Sequence, residues 1–379
     1  MNAPHVDLVR KEIVAHATLV VVKVGTGVLT SADGTLDTDR VAALAEQIHQ
    51  VHVTGRNVVL VSSGAIGAGM GQLNLASRPT DLSHLQAAAA VGQSFLIRAY
   101  DESLRRHGHH AAQLLLTAGD FEDRTRYLNV RNTIHALFDL GAVPVVNEND
   151  TVSVDEIRFG DNDRLAALVT NLLQAPLLVI LTTVDGLYDG VPGTPAARLI
   201  STVTNLADVA HFATNDRSRL GRGGMQSKLE AARTVAAAGE NVIIANGLRP
   251  RVLMEILNGD AVGTLVMAQG AMVPAWKRWI GYTVRPRGRY LLDDGARRAV
   301  VENGRSLLAI GIVEVDGSFE KGDVVALCDS TGKEFARGLS NYSAAEARKI
   351  KGKRTDQIRE ILETEPYGEV IHRDNLAVT

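Results

Sequence analysis

The chain has 379 residues, of which 45% are hydrophobic, 22% charged and only 4% aromatic. That composition excludes disorder as the main state and predicts an aliphatic core shared by two domains. A formal net charge of −3 argues against a protein that coats nucleic acid by bulk electrostatics. From Arg285 onward 16 basic residues balance 16 acidic ones, so the acidic excess sits in the longer N-terminal part.

Residues 1–18 contain Asp7, Lys11 and Glu12 and no long apolar run, unlike a secretory signal. No apolar stretch reaches the roughly 20 residues that span a bilayer. The single cysteine, Cys328, cannot form an intrachain disulfide and reads as a small buried hydrophobe. A soluble, cytoplasmic protein with no membrane partner is the expectation.

Residues 18–24 (TLVVVKV) are a continuous apolar run ending at Gly25, which predicts a strand buried on both faces. Residues 38–52 place Val41, Leu44, Ala45 and Ile48 at helical spacing, with Thr38 as N-cap and Gly55 as stop. Strand 57–61 (NVVLV) leads into a glycine-rich stretch, 62–71, and residues 84–106 read as a long Ala-rich helix. Further strands are predicted at 112–116, 143–146 and 177–181, and helices at 129–140, 163–173 and 225–238. Segments 242–245 and 250–257 close the pattern. Such alternation predicts a mostly parallel sheet covered on both faces, with ligands at the carboxyl ends of its strands.

The character changes after about Pro274. The segment 285–289 (RPRGR) reads as a domain junction. Beyond it, strand-like pieces 306–312, 324–329 and 334–339 are separated by the turn signals Asp316-Gly317, Lys321-Gly322 and Thr331-Gly332. They predict a small β-barrel-like module with a helix or two. The expected division is 1–275 and 276–379.

Three glycine loops carry chemistry. Lys23-Val24-Gly25-Thr26-Gly27 ends the first strand, where open backbone amides and a lysine suit an anion. It has neither the P-loop spacing nor a full G-x-G-x-x-G, and a plain tight turn is the alternative. Ser62-Ser63-Gly64-Ala65-Ile66-Gly67-Ala68-Gly69 also follows a strand; it fits a carboxylate or phosphate site, or equally close helix–sheet packing by small residues. Gly221-Arg222-Gly223-Gly224-Met225-Gln226-Ser227-Lys228 opens a helix whose N-terminus suits a polyphosphate, against a flexible loop before a capped helix. Together the three loops favour phosphate chemistry.

Two polar clusters follow strand 143–146: Asn147-Glu148-Asn149-Asp150, then Gly160-Asp161-Asn162-Asp163 at a helix start, with 151–159 alternating like a hairpin. Amides can read the carboxylate and ammonium of an amino acid. Aspartates can bind the ammonium, organise lysines or hold Mg²⁺. Ordinary turn and cap chemistry is the alternative.

The segments VVKVGTGVLT, VSSGAIGAG, VNENDTVSVDEIRFGDND, LTTVDGLYD and GRGGMQSK, in this order from about residue 18 to 268, resemble the glutamate 5-kinases of the amino acid kinase family. The C-terminal part resembles the PUA domain that follows the kinase domain in many members. The resemblance implies an αβα sandwich with a mostly parallel sheet, plus a β-rich PUA-like tail. It implies transfer of the ATP γ-phosphoryl group to the side-chain carboxylate of L-glutamate, giving glutamyl 5-phosphate for proline synthesis. By motif, Lys23 and Lys228 would neutralise the transferring phosphoryl group and Asp161 would orient both lysines. Ser63, Gly64, Asp150 and Asn162 would bind glutamate, with Asn147 close by. Gly25, Thr182, Thr183 and the loop Arg222, Gly223, Gly224, Met225, Gln226 and Ser227 would join the lysines in holding the nucleotide.

The chemistry agrees: a carboxylate nucleophile is already ionised at pH 7, so neither a general base nor a catalytic His or Cys is needed. Mg²⁺ is expected as ATP's companion rather than in a protein cage. The resemblance also implies feedback inhibition by proline at a site overlapping glutamate's. A homo-oligomer, dimer or tetramer, is expected through the helix 84–106, and glutamyl phosphate reductase would be a partner for product transfer. Thr183, Arg222 and Gly27 depart from the family pattern, which commonly has Asp, a small residue and Ser or Thr there.

Two features read as bland. His107, His109 and His110 suit a solvated helix end rather than a metal site. The basic run 348–354 suits a solvated face; RNA is the alternative because PUA domains elsewhere bind it, but no aromatic platform lies beside the run. Competing readings of the whole chain are another amino acid kinase, acting on acetylglutamate or aspartate, and an RNA-binding protein with a degenerate kinase domain.

Overall fold

The computed structural model describes residues 8–31, 33–152, 162–209, 211–212, 224–269, 275–362 and 367–379. The hairpin expected at 151–159 lies almost wholly outside them. The chain forms two compact units, Met1–Met272 and Val273–Thr379.

The first unit is built on an eight-stranded sheet. Its strands are β1 (Leu19–Val24), β2 (Asn57–Ser62), β3 (Ala111–Leu116), β4 (Val143–Glu148), β5 (Leu177–Thr182), β6 (Thr202–Val203), β7 (Asn241–Asn246) and β8 (Thr264–Val266). Their order is β3-β4-β2-β1-β5-β7-β8-β6, and every neighbouring pair is parallel except β7–β8. The central strands are buried on both faces, as their apolar runs require.

Alternation along β1 decides where the chemistry points. Val20, Val22 and Val24 join one core cluster, with Val58 and Leu60 of β2 and the helices Thr38–Val53 and Val252–Leu257. Lys23 therefore faces the opposite side of the sheet. Register aligns the strand ends: Val24 lies opposite Ser62 and Leu181, and Thr182 opposite Asn246.

Several local expectations shift. The helix after β1 is Thr38–Val53, but its cap is Asp37, whose carboxylate accepts from the backbone N–H groups of Asp39 and Arg40. The glycine stretch after β2 is largely a helix, Ala65–Gln72, packed on the long helix Leu82–Arg105. The approach is backbone to backbone. A Cβ on Gly69 would lie 1.8 Å from the Ala88 carbonyl oxygen, and one on Gly92 1.8 Å from that of Ala65. Close packing is thus the role of Gly69.

The second unit carries a mixed five-stranded sheet, β10-β9-β11-β12-β13, from β9 (Gly288–Leu292), β10 (Ile312–Gly317), β11 (Val324–Cys328), β12 (Glu334–Leu339) and β13 (Leu376–Val378). The segment read as a junction, 285–289, runs into β9. The piece read as a strand at 306–312 is instead a bridge at Leu307 and a 3-10 turn, Ala309–Gly311, before β10. Gly317, Gly322 and Gly332 all have positive φ, as the turn signals required. Cys328 is buried, and burial raises its thiol pKa.

No helix among the described residues is long and apolar enough to cross a membrane.

Candidate active site

Lys23 is the fifth residue of β1 and is buried. The helix Asn162–Leu173 begins beside it, and its second residue, Asp163, is fully buried. Asp163 Oδ1 lies 2.5 Å from Lys23 Nζ, and Asp163 Oδ2 lies 3.0 Å from Lys228 Nζ. Lys228 stands in the first turn of the helix Met225–Ala237, buried like the others, and Ser227 Oγ is 3.0 Å from the same Asp163 oxygen. One carboxylate thus holds two ammonium groups from different elements in a buried place. Asp163 is placed to orient both lysines, the role expected of Asp161. Asp161 itself lies outside the described residues, as do Arg222 and Gly223.

The amides form a second knot beside the first. Asn162 Nδ2 lies 3.0 Å from Asn147 Oδ1, 2.9 Å from Ser63 Oγ and 3.2 Å from the Ser62 carbonyl oxygen. The backbone N–H of Glu148 donates to Asn147 Oδ1 at 2.9 Å. Two polar atoms of this knot are buried without a partner among the described residues, Asn147 Nδ2 and Asn162 Oδ1. One is a donor and the other an acceptor. Unmet, each costs about 1–3 kcal/mol, so the pair favours a ligand presenting both an anion and a cation. Gly64, with φ +103, turns the chain from β2 into the helix Ala65–Gln72. Asp150 is half-buried in the turn after β4.

Tyr100 is a contributor that the sequence reading missed. It is fully buried on the helix Leu82–Arg105, and its hydroxyl lies 3.0 Å from Ser62 Oγ, directly behind the amide knot. Burial raises its phenol pKa well above the usual range, so it stays protonated.

The residues expected to hold nucleotide do not all converge. Gly25 N donates to the Leu181 carbonyl, and Thr182 ends β5 beside it. Gly224 caps the helix that carries Ser227 and Lys228. Met225 is in the core, and Gln226 hydrogen-bonds Glu230 on the exposed helix face, so neither side chain joins the lysine group. Two departures from the family pattern touch each other: a Cβ on Gly27 would lie 3.0 Å from Thr183 Cγ2. Thr183 thus holds the space that a side chain at 27 would need.

The histidines are not merely a solvated helix end. His107 stacks on His49 at 4.8 Å between ring centroids, and His109 Nε2 lies 3.2 Å from His49 Nδ1. Among the described residues no group of three or more His, Cys, Asp or Glu is arranged to hold a metal ion.

The amino acid kinase family profile matches residues 18–246, and the PUA domain profile matches residues 288–362. The chain is 47% identical to glutamate 5-kinase of Rhodopirellula baltica over 98% of this chain and 96% of that one. It is 48% identical to glutamate 5-kinase of Pseudomonas entomophila, over 94% and 97% of the two chains. With a kinase segment, a PUA segment and this identity along nearly its whole length, the chain belongs to the amino acid kinase family, in the glutamate 5-kinase group that carries a PUA domain.

Proposed function

We infer that the chain transfers the γ-phosphoryl group of ATP to the side-chain carboxylate of L-glutamate, the reaction that opens proline synthesis. The observation that carries this reading is the Lys23–Asp163–Lys228 group lying next to an amide pair with one unmet donor and one unmet acceptor. Asn147 Nδ2 would donate to the α-carboxylate and Asn162 Oδ1 accept from the α-ammonium, with Ser63, Gly64 and Asp150 completing the pocket.

The side-chain carboxylate then attacks phosphorus directly, and ADP leaves with the bond electrons. Charge on the transferring phosphoryl oxygens is met by Lys23 and Lys228, fixed in place before substrate arrives, so little reorganisation is needed. Nucleotide would lie along Gly25, Thr182, Thr183 and the segment Arg222–Lys228, with Arg222 as an added phosphate contact. Mg²⁺ would enter with the ATP phosphates, and no residue of the chain is assigned to it.

Proline would compete with glutamate, because the amide pair reads only the α-carboxylate and amine that both carry. A homo-oligomer through the helix Leu82–Arg105 and product transfer to glutamyl phosphate reductase belong to the same proposal. RNA remains an alternative ligand for the second unit, where Lys349, Lys351, Lys353 and Arg354 are exposed.

The test is ADP release with glutamate, N-acetylglutamate and aspartate as acceptors. Glutamate-dependent release, weakened by proline in competition with glutamate, is expected. Absence of any glutamate dependence would sink the reading.

A further inference from the structure

The kinase unit has another cavity, of about 400 Å³, which none of the groups above uses. That is large enough for a small metabolite. Val28, Leu44 and Leu181 give it apolar walls, and the loop after β7 closes one side.

Its polar side chains are accounted for one by one. Arg249 Nε and Nη2 lie 2.5 and 3.2 Å from the Glu255 carboxylate. Arg40 Nε lies 3.1 Å from Asp37 Oδ2, and its Nη1 donates to the Thr30 carbonyl at 3.1 Å. Gln47 Oε1 accepts from the Leu253 backbone N–H at 3.0 Å. Gln50 donates to Glu46 Oε1 at 2.8 Å, and Glu46 Oε2 lies 3.2 Å from His107 Nε2. Arg251 is the cation left over: it lines the cavity, is exposed, and its guanidinium has no hydrogen-bond or ion-pair partner among the described residues. Its backbone is also in the left-handed region, at φ 58, which non-glycine residues seldom adopt.

The cavity floor is the back of the phosphoryl-transfer loops. The Leu181 carbonyl accepts from Gly25 N at 3.1 Å, and Gly247 N donates to the Thr182 carbonyl at 2.8 Å. There is no slack between them: a Cβ on Gly247 would lie 2.8 Å from Val28 Cγ1 and 2.9 Å from Leu181 Cβ.

We propose that this cavity is a second ligand site, taking a small organic anion with its charged head on Arg251 and its apolar body against Val28, Leu44 and Leu181. Resting on the function proposed above, an occupant presses on the residues next to Gly25 and Thr182 and so changes the apparent KM for ATP more than that for glutamate.

The test uses the full chain, with benzoate and phenyl phosphate as probes and benzylamine as the cationic control. Binding is read by thermal denaturation and titration calorimetry, which need no turnover. Either anion at ten times its Kd should raise the Tm by about 2–5 °C, with or without saturating ATP and glutamate. Arg251→Gly removes the charge and relaxes the backbone, and Ala43→Trp narrows the mouth without changing charge. Both should abolish the shift while leaving kcat without probe unchanged. Retention of the shift in both variants, an equal response to benzylamine, or loss of the shift on saturation with ATP or glutamate would overturn the proposal. A binding signal with no effect on the ATP KM would overturn its regulatory half alone, and the acceptor assay above decides the reaction separately.

Discussion

Replacing Asp163 by Asn keeps the shape of the side chain and removes a negative charge that bridges two buried ammonium groups. Lys23 and Lys228 each contact a different oxygen of that carboxylate, at 2.5 and 3.0 Å, so their nitrogens lie close together. At a separation of about 6–8 Å and an effective dielectric of about 20, their unbalanced repulsion is worth roughly 2–3 kcal/mol. With the lost attraction added, a destabilisation of about 3–5 kcal/mol is expected, the range for breaking a buried ion pair. Turnover should fall further than stability suggests, because the lysines lose their fixed positions. Removing one preorganised electrostatic contact costs about 10²–10³ in kcat. Denaturant unfolding reads the first quantity and coupled ADP release the second. Adding Lys23→Met to Asp163→Asn should restore about 2 kcal/mol of stability while leaving activity absent. The same measurements on Asp161→Asn form the control. The reasoning fails if Asp163→Asn keeps kcat within tenfold and unfolds within about 1 kcal/mol of the parent, or if Asp161→Asn is the more harmful change.

Lys228→Ala should lose most of its kcat while still folding, since Asp163 keeps Lys23; turnover like the parent's would refute its role. Tyr100→Phe removes the hydroxyl behind Ser62 and should raise the KM for glutamate severalfold with the KM for ATP unchanged; equal rises in both would mark a general structural effect. Gly92→Ala places a methyl 1.8 Å from the Ala65 carbonyl oxygen, so a loss at or above the usual 1–3 kcal/mol of overpacking is expected, about 3 kcal/mol, in thermal or denaturant unfolding. Burial, with His109 and His49 beside it, lowers the His52 pKa from 6.5 to about 4. A His depressed in the fold stabilises it above pH 6.5, and that stability is lost as pH falls from 6.5 toward 4. His52→Gln should therefore flatten the stability profile across that window, and an unchanged slope would exclude His52 as the cause.

Much of the kinase unit was legible in the sequence, for a physical reason. Runs such as LVVVKV have nowhere to go but a strand covered on both faces, and alternating them with amphipathic helices leaves a mostly parallel sheet as the natural solution. The lysines, amides and glycines of the site are short local signals at strand ends and helix starts, and they stand there. The C-terminal module was harder: its strands are short, so turn signals located the gaps but not the ends, and β9 was hidden in a Pro/Gly/Arg segment.

What the sequence determined by itself was the fold class, the family resemblance and the residue types gathered for the chemistry. Tertiary structure decided that Asp163 meets both lysines. The phase of the helix Asn162–Leu173 against β1 turns Asp163 toward Lys23, and nothing in the local sequence fixes that phase. It likewise decided that Gly69 serves a helix crossing rather than a ligand, and that Tyr100 stands behind the amide knot. Those choices depend on distances between segments far apart in the chain, and such distances exist only once the sheet has set the registers.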